Sequence, residues 1–256
     1  MKAGIIAAGE GSRLKSEGIT LPKPLVSVDG VPLIERLIDS FIRCGITEIV
    51  CIVNEYSLEV KKFVESKKFS IPIQFVVKTT PSSMHSLFVL SPYLKDGQFL
   101  LSTVDSIFNG EELSRLLKYA QQHQSVDGIL AVTNFVDDEK PLYVEMDKLN
   151  QIVSFGSNRL NPQPLPTSPS PNGRRGGAGG DEGIPGVWVT GGLYIFSPRI
   201  FNEMDAVLRK GIERLRNFLE HLLREEYRLE GFPFSKIIDV DHIHDIAAAE
   251  DMLRSK

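Results

Sequence analysis

The chain has 256 residues, of which 42% are hydrophobic and 24% charged, and its formal net charge is −4. These totals are typical of a soluble globular protein and do not favour a nucleic-acid partner, although a local basic pocket is compatible with them. No apolar run reaches the ~20 residues of a membrane span, and the N-terminal apolar stretch breaks too early for a signal peptide. The two cysteines do not indicate a disulfide. We therefore expect a cytoplasmic protein with no membrane partner.

The first half of the chain alternates between strand and helix patterns. The predicted strands are residues 3–8, 48–53, 73–77, 99–103 and 128–133, and the predicted helices are 32–43, 57–67, about 82–93 and about 111–122. Strict alternation of this kind predicts an α/β fold with a mixed, mostly parallel central sheet and helices on both faces.

The second half is predicted to add antiparallel strands and to close with a helix. The predicted elements are a hairpin of 142–146 and 151–155, a strand at 187–196, helices at about 198–207 and 212–227, a strand at 236–240 and a helix at 244–254. We expect the strand at 187–196 to complete the same sheet. The whole chain, 1–256, is therefore predicted to be one domain.

Residues 157–186 have a different composition. Their 162–186 part contains six prolines and seven glycines in 25 positions. Proline removes backbone donors and glycine costs backbone entropy, so no packed element is expected there. We predict a disordered surface insertion rather than a domain boundary.

The segment AAGEGSRLKSEGITLPKPL, residues 7–25, follows the first predicted strand and is rich in glycine and cations. One candidate is an ATPase phosphate loop, which requires GxxxxGK[ST]. Gly4 and Gly9 have the required spacing. However, Glu10 and Gly11 stand where Lys and Ser/Thr are needed. This interpretation fails.

A dinucleotide-binding loop is the second candidate, and it requires GxGxxG. Gly9 and Gly11 match. In the fingerprint a third glycine allows close packing of helix on strand, but this chain has Leu14 at that position. Three residues also argue against a helix directly after the loop: Gly18, Pro22 and Pro24. An NAD-binding oxidoreductase is therefore disfavoured.

The chemistry of the segment fits a third kind of phosphate site. Gly9 and Gly11 permit backbone conformations in which successive amides point into one concavity. Arg13 adds a fork-shaped cation suited to phosphate. Lys23 stands between two prolines that restrict its backbone. The loop is expected at the carboxyl end of the first strand, where open α/β sheets bind ligands.

The motifs GxGxRL and PKP, separated by about ten residues, resemble the signature of a nucleotidyltransferase family. That family comprises the sugar-nucleotide pyrophosphorylases and the cytidylyltransferases for phosphocholine and inositol phosphate. The resemblance covers nearly the whole chain apart from 157–186. It implies the nucleotide-diphospho-sugar-transferase-like, Rossmann-like fold. It also implies transfer of NMP from an NTP to a phosphorylated small-molecule acceptor, a sugar 1-phosphate or a small alcohol phosphate, with release of pyrophosphate.

The resemblance also implies roles for individual residues. Arg13 and Lys23 are the implied catalytic cations, which neutralise charge on the triphosphate and near the reacting phosphates. The implied nucleotide-binding residues are Ala8, Gly9, Glu10, Gly11, Ser12, Arg13, Ser82 and Ser83, and the implied acceptor-binding residues are Thr190, Gly191 and Gly192. Ser82 and Ser83 are also compatible with a plain helix cap, and the Gly-Gly pair with a β-bulge.

Two aspartates match the family's Mg²⁺ ligands. Asp105 follows the buried strand 99–103, and Asp239 lies in IIDVDHIHDI, which resembles the family pattern IDxDTPEDL. In the same comparison Asp241 matches the residue that enters the last helix. Oxygen ligands suit Mg²⁺, so we interpret His242 and His244 as packing or capping residues.

One departure from the family concerns the acceptor. Sugar-type members carry Glu-Lys-Pro after the second hairpin strand, whereas this chain has QIVSFGSNRL there. The acceptor, the nucleotide base and any homo-oligomer are therefore left open. Two alternatives to a nucleotidyltransferase also stay open: a non-catalytic nucleotide or metabolite sensor of the same fold, and a nucleotide-sugar-dependent glycosyltransferase. The absence of an Asp-x-Asp motif after strand 99–103 disfavours the glycosyltransferase.

Overall fold

A computed structural model of the chain describes residues 1–136, 140–156 and 186–254. The predicted insertion at 157–186, except for Gly186, lies outside these residues. Within the described ranges, no helix combines the length and the apolar character needed to cross a membrane.

Within the described residues, the core is a nine-stranded mixed sheet. Its strands are β1 (Lys2–Ala7), β4 (Glu48–Val53), β5 (Ile73–Val77), β6 (Phe99–Thr103), β8 (Gly128–Thr133), β9 (Tyr143–Met146), β10 (Ile152–Gly156), β11 (Trp188–Phe196) and β12 (Leu229–Phe234). The main path runs β10-β9-β11-β6-β1-β4-β5, and β8 links β11 to β12. Strands β6, β1, β4 and β5 are parallel, whereas β11 runs antiparallel to its neighbours. The predicted fold class is confirmed, and β11 does join the same sheet.

Helices cover both faces of this sheet. They are α1 (Ser12–Ser16), α2 (Leu33–Arg43), α3 (Leu58–Ser66), α4 (Ser83–Leu90), α5 (Gly110–Gln122), α6 (Met204–Arg209), α7 (Leu215–Arg224) and α8 (Ile243–Arg254). Successive strand residues point to opposite faces. Ile5 of β1 therefore packs in a cluster with α2, α3 and α5, and Ile6 packs in a second cluster with α4 and α7.

Strand register brings distant parts of the chain to one edge of the sheet. β1 and β6 are parallel, with Ile6 beside Thr103, so the loop after β1 and Asp105 after β6 leave at the same edge. In the described residues, four short strands form two separate sheets, β2 (Ser27–Val28) with β3 (Val31–Pro32), and β7 (Ser106–Phe108) with β13 (Ile237–Asp239). The second of these sheets lies beside the predicted site. The pairing of β7 with β13 sets Asp239 opposite Ser106, and the Val240 amide donates to the Asp105 carbonyl at 3.0 Å.

Several elements differ from the prediction. Sequence reasoning missed β7 and β12, and it was wrong that no helix follows the glycine loop, since α1 begins at Ser12. The segment predicted as a helix at 198–207 begins as a 3-10 helix, Pro198–Glu203, before α6. β12 contains Gly231 and Pro233, residues that disfavour strand interiors. It is nevertheless held by parallel pairing along all six residues with β8.

The Phe41 side chain offers a test of the packing on the α2 face. It is fully buried between α2 and the sheet. We expect Phe41→Ala to lower the free energy of unfolding by about 3–5 kcal/mol, because it removes apolar burial and leaves a cavity. Urea unfolding measures this. Tyr56→Ala is the matched control, since that ring is 83% exposed, and it should change stability by less than about 0.5 kcal/mol. Equal losses in the two variants would contradict this packing.

Candidate active site

The glycine loop folds against the Pro-Lys-Pro turn. Gly11 has φ +61° and is the N-cap of α1, a left-handed conformation that favours glycine. A Cβ at Gly11 would lie 3.1 Å from the Cβ of Lys23. Gly9 differs, because its φ is not positive and nothing lies within 4 Å of a Cβ built there. The expected conformational role of the glycines therefore holds for Gly11 and was wrong for Gly9.

Lys23 is the centre of the site's ion-pair network. It starts a 3-10 turn, Lys23–Leu25, and its side chain is 9% exposed. Its ammonium donates to Asp105 Oδ2 and, at 2.6 Å, to Asp241 Oδ1. Burial alone would lower the pKa of Lys23, but the two carboxylates outweigh it and raise that pKa above its usual value. Lys23 therefore stays protonated beside the carboxyl end of β1.

Asp241 is a site residue that sequence reasoning did not assign to the site. Its Oδ1 accepts from Lys23, and its Oδ2 accepts from the Arg13 guanidinium, so one carboxylate joins both predicted catalytic cations. Its own amide donates to Asp245 Oδ2 at 2.8 Å, which fixes the start of α8. No local pattern signalled it, because β13 ends at Asp239 and the Asp241 amide donates to the Asp239 carbonyl at 3.0 Å, so the two carboxylates do not follow the alternation of a strand.

The two predicted metal ligands have opposite electrostatic environments. Burial would raise the pKa of Asp105, but the Lys23 ammonium outweighs it and lowers that pKa. Burial, followed by the negative charge of Asp105, raises the pKa of Asp239 to about 7. Asp239 Oδ1 also accepts from the Ser106 hydroxyl at 2.8 Å. The carboxylates are thus close enough for each to influence the other, and a cation beside them would relieve the repulsion.

Most of the predicted site residues line one cavity of about 480 Å³, which we call the loop pocket. It is lined by Ile6 to Arg13, Lys23, Pro24, Thr80 to Ser83, Ser86, Thr103 to Asp105 and Asp241. All eight predicted nucleotide-binding residues, both predicted catalytic cations and Asp105 therefore face one space. Asp239 does not line it. It lies in an adjoining cleft of about 50 Å³ together with Asp241, Thr190 and Gly191.

Ser82 and Ser83 lie where α4 begins. Ser82 is the N-cap, and its hydroxyl accepts from the His85 amide at 3.5 Å. The same hydroxyl donates to the Glu213 carbonyl, which ties this segment to the loop before α7. The predicted capping role of Ser82 is confirmed, and its contact with a nucleotide base stays a prediction.

Thr190, Gly191 and Gly192 lie on β11 at an irregularity in its register with β8. A Cβ at Gly191 would lie 2.2 Å from Ile237 Cδ1, and one at Gly192 would lie 2.3 Å from Ser106 Oγ. Gly192 also has φ +73°. Packing and backbone conformation therefore account for both glycines, as the bulge interpretation anticipated, while their contact with an acceptor stays a prediction.

The chain belongs to the family described as "Nucleotidyl transferase", whose profile matches residues 2–255. This confirms the resemblance carried by the GxGxRL and PKP motifs. The glycine loop, the ion-paired lysine and the aspartate after β6 thus occur in a member of that family.

Comparison with individual proteins agrees with this assignment. The chain is 29% identical over 176 residues to a mannose-1-phosphate guanyltransferase of Hypocrea jecorina, covering 63% of this chain and 48% of that protein. It is 30% identical over 227 residues to a glucose-1-phosphate thymidylyltransferase of Streptomyces antibioticus, covering 87% of this chain and 57% of that protein. The chain thus spans about half the length of these curated relatives.

The structure of the inositol-1-phosphate CTP transferase from T. maritima superposes with a TM-score of 0.75 at 19% identity. The superposition covers 99% of this chain and 95% of that one. A putative glucose-1-phosphate thymidylyltransferase from Bacillus anthracis gives 0.76 at 18% identity, with coverage of 100% and 96%. These likenesses show that the fold is the same.

The two loop glycines provide a matched pair for testing the local structure. Gly11→Ala places a Cβ against Lys23 at a positive φ, and we expect it to lower the free energy of unfolding by about 1–2 kcal/mol. Gly9→Ala meets open space, so its effect should stay within about 0.5 kcal/mol. Denaturant unfolding of the ligand-free protein measures both. A larger loss for Gly9→Ala than for Gly11→Ala would show that the loop is built differently.

Proposed function

We propose that this protein is a nucleotidyltransferase that moves NMP from an NTP to a phosphorylated small-molecule acceptor and releases pyrophosphate. The observation that carries the proposal is the loop pocket, which the glycine loop, Arg13 and Lys23 line together at the carboxyl end of β1. The relatives named above, whose names describe guanyl-, thymidylyl- and cytidylyl-transfer to phosphorylated acceptors, support the same reaction class. The proposal places the protein in the cytoplasm, the compartment that supplies NTPs.

The chemistry requires positioning and neutralisation of charge. The acceptor phosphate attacks the α-phosphorus in line, the bond to the β-phosphate oxygen breaks, and pyrophosphate leaves with the electron pair. The loop amides and Arg13 hold the β- and γ-phosphates, and Lys23 neutralises charge beside the α-phosphate. No general base is needed, because a phosphate monoester is already ionised at neutral pH. The pairing of Lys23 with two carboxylates keeps its charge in place before substrate binds.

We further propose that Asp105 and Asp239 hold Mg²⁺, with Asp241 beside them. The fit rests on donor chemistry, since the carboxylates cluster closely enough that one raises the pKa of the other. Among the described residues, no group of three or more potential ligands encloses a metal by itself. Mg²⁺ in phosphoryl-transfer sites usually takes one or two carboxylates and completes its shell with waters and substrate phosphates. When bound, the ion would neutralise the reacting phosphates.

The two ion-paired residues allow a direct test. We expect Lys23→Ala and Asp105→Asn each to reduce pyrophosphate release by a factor of about 10²–10³, because each removes charge that is aimed at the reacting phosphates. The assay pairs each of the four NTPs with a panel of phosphorylated sugars, polyols and aminoalcohols. Circular dichroism and thermal melting check that the variants fold.

Lys62→Ala is the control for these variants, because Lys62 is exposed on α3 and lies outside the loop pocket. It should retain wild-type turnover. Full activity in Lys23→Ala would refute the role given to that lysine. Tight NTP binding with no pyrophosphate release from any pair would favour the sensor alternative.

The assignment of Asp105 and Asp239 as Mg²⁺ ligands predicts how the rate of pyrophosphate release depends on Mg²⁺. EDTA should abolish pyrophosphate release, and added Mg²⁺ should restore it. Asp105→Asn and Asp239→Asn should each raise the Mg²⁺ concentration that gives half-maximal rate by about tenfold or more, because each removes an oxygen ligand. Titrating Mg²⁺ at saturating NTP measures this. An unchanged Mg²⁺ requirement in Asp239→Asn, with a raised one in Asp241→Asn, would move the second ligand to Asp241.

A further inference from the structure

A second cavity of about 510 Å³, the acceptor cavity, opens beside the loop pocket. The two share five lining residues: Arg13, Ser82, Ser83, Thr103 and Asp241. The acceptor cavity continues past Thr190 and Tyr194 of β11 towards the start of α7. A molecule bound there would meet the end of a nucleotide bound in the loop pocket. Under the proposed function, the wall of the acceptor cavity at the start of α7, its far wall, would contact the part of the acceptor that does not react.

That far wall is positively charged. Arg214 and Arg216, at the start of α7, line the acceptor cavity but not the loop pocket. Neither guanidinium forms an ion pair with a residue of 1–136, 140–156 or 186–254. Among the described residues that line the acceptor cavity, Asp241 is the only carboxylate, and it already pairs with Arg13 and Lys23. The two arginines thus bring positive charge to the wall without a described counter-ion.

Arg216 is positioned rather than freely mobile. Its Nη2 donates to the Lys140 carbonyl at 2.8 Å, which fixes one end of the guanidinium and leaves other N–H groups for a ligand. Burial raises the pKa of Tyr194 to about 12, and the positive charge of Arg216 acts against that rise. The guanidinium therefore lies within electrostatic reach of a phenol that faces the cavity.

Lys140 also lines this cavity. In the sequence it follows Asp-Asp-Glu at 137–139, which lie outside the described residues. Arg214 and Arg216 come from a separate segment and make the far wall positive without Lys140.

We infer that Arg214 and Arg216 select an acceptor that carries an anionic group, a carboxylate or a second phosphate, in addition to the phosphate that attacks the nucleotide. This rests on the proposed function and specifies its substrate class. Arg13, Lys23 and the metal already serve the reacting phosphates in the loop pocket, so two further cations at the far wall match a separate anion. A cationic headgroup such as choline would be repelled there. A neutral sugar would leave both guanidinium groups without an anionic partner.

Matched probes test this selection without requiring turnover. Glycerate 3-phosphate differs from glycerol 3-phosphate by a carboxylate in place of a hydroxymethyl group, and glucose 1,6-bisphosphate differs from glucose 1-phosphate by one phosphate. Calorimetry on the full-length protein should show at least one doubly anionic probe binding about tenfold or more tightly than its partner, as expected for one charge-assisted hydrogen-bonded pair. Equal affinity within both pairs, including no measurable binding, would overturn the inference.

Variants connect the preference to the two arginines. Arg216→Gln and Arg214→Gln should each reduce the preference for the doubly anionic probe by about threefold or more, the double variant should abolish it, and binding of the singly anionic partner should stay within about twofold. Arg209→Gln is the control, since Arg209 is exposed on α6 and lines neither cavity. If the double variant Arg214→Gln/Arg216→Gln keeps the preference, the inference is wrong.

A kinetic readout separates selection from a structural role and from failure of the proposed function. In the pyrophosphate assay, Arg216→Gln should raise KM for a doubly anionic acceptor about tenfold, with KM for NTP and kcat within about twofold. A fall in kcat for all acceptors would indicate structural damage and would overturn the inference. Absence of turnover with every pair would refute the proposed function, while the calorimetric comparison would still decide whether the arginines recognise an anion.

Discussion

The site depends on one buried cation, the Lys23 ammonium, held between Asp105 and Asp241. The three residues come from the first loop, the end of β6 and the segment after β13, so one interaction joins the beginning, middle and end of the chain. Charges with so little exposure cost desolvation energy, and they are tolerated only when each has a partner. Removing one member would leave the others uncompensated, so the loop, the end of β6 and the segment after β13 depend on one another for their charge balance.

The same arrangement separates two kinds of recognition. Under the proposed function, the loop pocket would bind the triphosphate through the glycine loop, Arg13 and Lys23, which suit phosphate groups attached to any base. The acceptor cavity shares Arg13 and Thr103 with it, but its far wall is made by the start of α7. The Ser82 hydroxyl bonds the Glu213 carbonyl, so the segment beside the nucleotide is tied to the loop that presents Arg214. Under the proposed function, the reaction and the selection of the acceptor would therefore occur in adjoining cavities that share lining residues.

The sequence predicted the parallel half of the fold well because its strands are short, apolar and separated by amphipathic helices such as α2. It missed β12, since Gly231 and Pro233 hide a strand that only pairing with β8 stabilises. It found Lys23 and Asp105 because each stands in a motif or at a strand end. It missed the role of Asp241 because an ion pair 218 residues apart in the chain leaves no local pattern. Nothing in the sequence indicated the position of Arg214 and Arg216 in the acceptor cavity either, since two cations at a helix start are ordinary on a surface.

Under the proposed function, the charge balance of the site would couple the binding of NTP to the binding of metal. In the ligand-free protein Arg13 and Lys23 are neutralised by Asp105 and Asp241, and the pKa of Asp239, raised to about 7, shows that the cluster resists a further negative charge. A triphosphate that engages Arg13 and Lys23 takes those cations from the carboxylates and adds its own negative charge. The carboxylates would then need a replacement cation, and a divalent ion held by Asp105 and Asp239 would supply that charge. Under the proposed function, the internal ion pairs of the ligand-free protein therefore favour binding of NTP and metal together over binding of either alone.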